Sequence, residues 1–162
     1  MKPFLFLLLA AFIVLTSAPA DAKNQKQPAR NPVIGLWYTQ DRDGVIELYS
    51  CENQICGRFH WIKNSSDNQP SLDNKNPDKE KRNRPLCGLQ FMGGFSPKEN
   101  GKYEDGWIYS PRHGGVFSAN MTLLDHDTLD LHGYMFLPIL GESQTWHRAY
   151  HAPACKAPKS GP

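Results

Sequence analysis

From Leu36 to Tyr150 the dominant repeat along the chain is two residues rather than 3.6, and this confines the fold to β-sheet. The alternation is cleanest between Val116 and Leu124, where Phe117, Ala119, Met121 and Leu123 interleave with Ser118, Asn120 and Thr122. Similar runs are Leu36 to Thr39, Val45 to Cys51 with Ile46 and Leu48 on one face, and Gly57 to Lys63 with Phe59 and Trp61 set against Arg58, His60 and Ile62. A glycine-broken run covers Leu89 to Phe95, and Tyr103 to Ser110 places Tyr103, Asp105, Trp107 and Tyr109 on one face. Leu129, Leu131, Gly133 and Met135 alternate after the Asp125-His126-Asp127 turn, and Gln144 to Tyr150 is the last run. About eight short strands joined mostly by tight turns, with no convincing helical stretch, predict an all-β antiparallel barrel or sandwich. One clean apolar face per strand favours the barrel, whose interior at eight strands holds side chains or one small ligand.

Ahead of this domain stands Phe4 to Leu15, twelve consecutive apolar residues preceded by Lys2 and followed by small residues up to Ala22. That order reads as a secretory signal peptide, residues 1–22, with cleavage after Ala22 preferred over Ala20. As a helix the run rises only about 18 Å, short of a hydrocarbon core of roughly 30 Å, which argues against an anchor. The expected division is then a signal peptide, a polar leader over 23–32, a barrel domain over 33–150 and a tail over 151–162, in a protein that is periplasmic or secreted. A net charge of +2 gives no footing for nucleic acid, and no second apolar run approaches membrane-spanning length.

Export sets the reading of the four cysteines, Cys51, Cys56, Cys87 and Cys155. Cys51 and Cys56 flank a turn between two strand-like runs, and residues facing across a hairpin have nearly the separation that a disulfide requires. Cys87 with Cys155 follows only by elimination. A four-cysteine zinc site is the rival, but the second pair lacks C-x₂₋₄-C spacing.

The segment from Asn64 to Leu86 interrupts the strand pattern. It is rich in charge, with Asp73, Asp78 and Glu80 against Lys79, Lys81, Arg82 and Arg84. A stretch this long is a solvated loop or a lid over the barrel mouth, and Asp78 to Arg84 suits a turn or two of helix after Pro77.

Two features meet a known pattern. Gly35-Leu36-Trp37 opens the first strand and Arg148 lies in the last. This resembles the lipocalin-type barrel, in which a late arginine packs on the tryptophan of G-x-W and closes one end. The wider series is Cys56-Gly57-Arg58, Asp73-x-x-Asn76-Pro77-Asp78, Arg82-x-Arg84-Pro85-Leu86-Cys87-Gly88, Gly106-Trp107-Ile108-Tyr109-x-Pro111 and Gly141-x-x-Gln144-Thr145-Trp146-x-Arg148. In this order it is similar to the bacterial exported family called domain of unknown function 2147. The resemblance spans Val33 to about Ala149 and implies a small lipocalin-like β-barrel with Gly35, Trp37 and Arg148 at its closure. It carries over no catalytic residue, and the tail with Cys155 lies outside it.

No catalytic residue, metal site or cofactor is expected. G-x-S-x-G and H-E-x-x-H are absent, and His132 and His147, on neighbouring predicted strands, are the nearest approach to a metal pair. Asp105, an acid among aromatics, reads as a structural carboxylate. If the interior is hollow, Trp61, Trp107, Tyr109, Phe117 and Met121 line it, and Arg84 supplies the cation for a carboxylate head group, with Arg58 and Arg82 as its competitors. The functional expectation is an exported barrel that binds a small apolar or anionic amphipathic, lipid-like ligand. The alternative is a filled barrel acting through its surface in envelope assembly or protein interaction. A hydrolase-type enzyme ranks third.

Overall fold

The computed structural model describes residues 31–155. The expected signal peptide and all but the end of the leader lie outside the described residues, as does the end of the tail. Eight antiparallel strands close into one barrel in simple up-and-down order. They are β1 (Gly35–Tyr38), β2 (Gly44–Cys51), β3 (Gln54–Ile62), β4 (Gln90–Pro97), β5 (Lys102–Ser110), β6 (Gly115–Leu123), β7 (Thr128–Tyr134) and β8 (Glu142–Arg148). Each strand pairs with the next in sequence, and β1 with β8 completes the ring through Trp37 opposite Arg148 and Tyr38 opposite His147. Closure leaves no free sheet edge, which is how an all-β chain avoids pairing with its neighbours.

Inward side chains fill one half of the barrel. Trp37, Leu48, Phe95 and Met121 have almost no exposed surface, and Ile55, Tyr103, Leu129 and Leu131 pack with them. These residues lie toward the β2–β3, β4–β5 and β6–β7 turns. The opposite end carries the β1–β2, β5–β6 and β7–β8 loops and the long β3–β4 insertion.

Register shifts fall at four places in the ring, two of them in β4 opposite β3; the other two, in β3 and then in β5, each add one residue to one strand. Phe59 pairs with Ile46, whereas Trp61 pairs with the adjacent Val45, so His60 is the extra residue in β3. In β5, Tyr103 pairs with Met121 and Gly106 with Ala119, and Asp105 takes a left-handed φ of 65°. A bulge shifts the phase of everything after it. Beyond the first, Ile62 rather than Trp61 faces inward. Beyond the second, Gly106 and Ile108 face inward, and Trp107 and Tyr109 face outward.

All four cysteines are paired, Cys51 with Cys56 and Cys87 with Cys155, at Cα separations of 5.9 and 5.8 Å. The first bridge braces the β2–β3 hairpin. The second ties the end of the insertion to the tail, beside a backbone hydrogen bond from Cys155 to the His60 carbonyl.

Candidate functional site

The sealed end is built around Trp37. Its indole is fully buried, its Nε1 donates to the Val33 carbonyl at 2.9 Å, and the Arg148 guanidinium lies 4.1 Å from the ring centroid. Arg148 also donates to the carbonyls of His126 (2.6 Å) and Pro32 (2.8 Å), so one side chain joins the leader, β8 and the β6–β7 turn. Gly35 has a φ of 143°, and a Cβ there would stand 3.0 Å from an Arg148 nitrogen. The glycine of G-x-W is therefore the space that the arginine occupies. Gly35, Trp37 and Arg148 come together as the sequence suggests.

The other half of the barrel is hollow. A cavity of about 740 Å³ opens between the loops, with Ile46, Phe59, Phe91, Ile108, Phe117 and Trp146 on its wall. Phe59 and Phe91 stack at 4.0 Å between centroids. The rim is polar on one side: Arg112 donates to Asp43 at 2.7 Å, and Asp43 also accepts from Thr39 at 2.8 Å. Gln40 ties the β1–β2 turn to β8 by accepting from the Thr145 amide at 3.0 Å. Ser110 and His113, 2.9 Å apart, close the exposed β5–β6 turn. The rim's other side is apolar, formed by Met135 and Leu140 from the β7–β8 loop.

The predicted lining residues divide. Phe117 is on the cavity wall, and Tyr109 contributes near the rim. Met121 points inward but is 1% exposed in the packed half, away from the cavity. Trp61 and Trp107 are corrections, since the bulges before them turn both outward. Trp107 is 38% exposed and lies across Gly93 on the outer face, where a Cβ would stand 3.3 Å from the indole and 3.1 Å from the Cys56 sulfur.

Arg84 is also a correction. It holds the insertion instead of facing the cavity, with its guanidinium donating to Asp73 at 2.8 and 2.9 Å. Asp73 has no exposed surface and also accepts from the Tyr109 hydroxyl (2.7 Å) and from Asn76 (2.7 Å). Burial pushes the Asp73 carboxyl up, but the hydrogen bonds from Tyr109, Asn76 and Arg84 and the charge of Arg84 outweigh it and hold the group below its ordinary value. Tyr109 moves the other way, raised by burial and by donating to the Asp73 carboxylate. Tyr109 pairs across the sheet with the exposed Val116, and Asp73, Asn76 and Arg84 of the insertion hold its hydroxyl and ring. The insertion is a clasped flap along the wall, closed by a Leu72–Pro85 bridge and a short 3₁₀ turn at Lys79–Lys81 capped by Asp78.

Of the other candidates, Arg58 is paired with Glu47 at 2.8 Å, and Arg82 donates to the Asn76 carbonyl at 2.7 Å. Asp105 is a surface partner of Lys98 at 3.1 Å. His132 and His147 do not meet: they pair with Ser143 and Thr128 respectively, and His132 lies within hydrogen-bonding distance of Ser143 and of the Pro138 carbonyl. Sequence reasoning missed Arg112, the one lysine or arginine among the described cavity-lining residues. Its signal was available, since the Pro111-Arg112-His113-Gly114 turn sits at the end of a strand.

The model of a bacterial family, described as "Uncharacterized protein conserved in bacteria (DUF2147)", matches residues 35–148. No curated protein matches the chain. Among solved structures, the chain is similar to protein HP1028 from the human pathogen Helicobacter pylori, described as belonging to the lipocalin family. The two are 19% identical with a TM-score of 0.65, over 72% of this chain and 82% of that one. At that identity the likeness is one of fold.

Proposed function

The chain belongs to the bacterial DUF2147 family, and from that premise we propose that it is an exported barrel holding one small amphipathic, lipid-like molecule in its cavity. The observation that carries this reading is the hollow half, a cavity of about 740 Å³ with an aromatic and aliphatic wall and a polar rim. Small-molecule sites are commonly clefts of this size, mostly apolar with a few placed polar groups. An acyl chain entering it buries about ten methylenes at about 0.8 kcal/mol each, enough for micromolar affinity after ordering costs. Arg112 is the cation at the rim for an anionic head group, in exchange for its contact with Asp43. Two disulfides agree with an oxidising compartment.

The test is a titration with fatty acids and the matching alcohols, read by tryptophan fluorescence and by native mass spectrometry. Trp146 is the internal reporter, because it lies on the cavity wall. Arg112→Ala weakens the acid roughly threefold to tenfold while leaving the alcohol unchanged. A chain whose fluorescence, mass and melting temperature ignore acids, alcohols and esters alike has no such ligand, and the surface reading then replaces this one.

A further inference from the structure

Between β7 and β8 the chain exposes an unbroken apolar loop at the cavity mouth. Exposure is 52% for Met135, 89% for Phe136, 57% for Leu137, 88% for Ile139 and 72% for Leu140. Soluble surfaces scatter such residues singly, and a contiguous patch marks a contact surface. The loop is held in shape rather than loosely exposed. Phe136 sits at a left-handed φ of 64°, an uncommon conformation for a bulky side chain. Backbone bonds from Leu137 to Met135, Leu140 to Leu137 and Gly141 to Pro138, at 2.7, 3.0 and 3.2 Å, fix the tip, and the His132 ring reaches the Pro138 carbonyl at 2.6 Å.

We propose that this loop is a membrane-docking tip, which seats Phe136, Leu137, Ile139 and Leu140 in the interfacial layer of a lipid bilayer and holds the cavity mouth against its surface. The tip presents four large side chains from a single loop, a smaller patch than the roughly 800 Å² per partner of a stable protein dimer yet sufficient for shallow insertion. The charged groups on the nearby rim are mixed, with Arg112 against Asp41, Asp43 and Glu142. Attraction to an anionic surface therefore contributes little, and docking is apolar and only weakly sensitive to salt. The proposal stands on the loop and holds whether or not the cavity takes a lipid.

The experiment places a tryptophan at the tip (Phe136→Trp) or at the opposite end of the barrel (Glu99→Trp) in the full chain. Both are mixed with zwitterionic phosphatidylcholine vesicles whose acyl chains carry bromine close to the head group. The expected result is quenching at position 136 severalfold stronger than at 99, nearly unchanged between low and high salt. The pair Phe136→Asp with Ile139→Asp abolishes the quenching of native tryptophans by these vesicles, with an unchanged melting temperature and an unchanged titration by soluble fatty acid. Equal quenching at 136 and 99 overturns the proposal, because the contact then lies elsewhere on the chain. Vesicle binding that survives the double aspartate change also overturns it, as does a dimer that the same change converts to monomer, which would assign the loop to a second copy.

Discussion

At the sealed end of the barrel, Leu48, Phe95 and Met121 are buried on every side, and Arg148 plugs the opening over Trp37. At the open end, Phe59, Ile108 and Phe117 come from neighbouring strands of the same ring and the same inward face, yet each is only partly covered. The difference does not come from hydrophobicity, since both halves are lined by large apolar side chains. It comes from what crosses the barrel end: an arginine, the leader and a tight turn at one end, and at the other loops that stand around the mouth and leave it open. A barrel of this size sits at the limit of what side chains fill, so the arrangement of a few end residues decides which half is core and which is site.

The largest expected effect tests the packed half. Phe95→Ala leaves a void among residues that cannot collapse and is expected to cost about 3–5 kcal/mol, whereas Phe117→Ala only widens space that already exists and costs about 1–2. Equal losses in urea denaturation would mean that the two halves are packed alike. Next is the flap clasp. Asp73→Ala leaves Tyr109, Asn76 and Arg84 without their shared acceptor and is expected to cost about 2–3 kcal/mol. It should also open the segment around Lys79 and Lys81 to trypsin. Because the folded carboxyl titrates below its ordinary value, the clasp's contribution is fully present above the usual carboxylate range and is lost as pH falls through the lowered folded value. Acid melts of the wild type and of Asp73→Ala should therefore converge at low pH.

Arg148→Ala should cost about 1–2 kcal/mol through lost stacking and packing. A double-mutant cycle with Trp37→Phe should show coupling, and its absence would detach the seal from the tryptophan. The smallest effect on stability belongs to the hollow half. Ile108→Phe fills part of the cavity and should change stability by less than about 1 kcal/mol, yet abolish fatty-acid binding. A filled cavity that still binds would place the ligand elsewhere.

The strand count, the closed ring and the hairpin disulfide were legible in the sequence because each rests on local period or on a close pair, and the Trp37–Arg148 seal because the chain resembles the lipocalin-type pattern. The facing of Trp61 and Trp107 was not. A bulge shifts the alternation by one residue, and neither His60 nor Asp105 announces it, the latter taking a left-handed φ that glycine or asparagine would have advertised. Arg84 was misplaced for a different reason. A guanidinium close to a barrel mouth in sequence looks like a ligand anchor until the fold brings a buried Asp73 to it. Met135 was read as the end of a strand, but β7 stops at Tyr134 and the apolar residues after it face outward. Hydrophobicity alone does not distinguish a residue that packs from one that waits for a partner.

The Arg148 seal also bears on the time course of folding. Its bond to the Pro32 carbonyl spans 116 residues of sequence, so the ring cannot be locked until the last strand is available. Contacts of such long range carry a large loop-closure cost and slow the search for the native state. Hairpins from β2 to β7 can form early and locally, but they remain an open ribbon with two unpaired edges. A chain truncated before Arg148 is expected to stall as that ribbon and to be prone to pairing with other copies of itself.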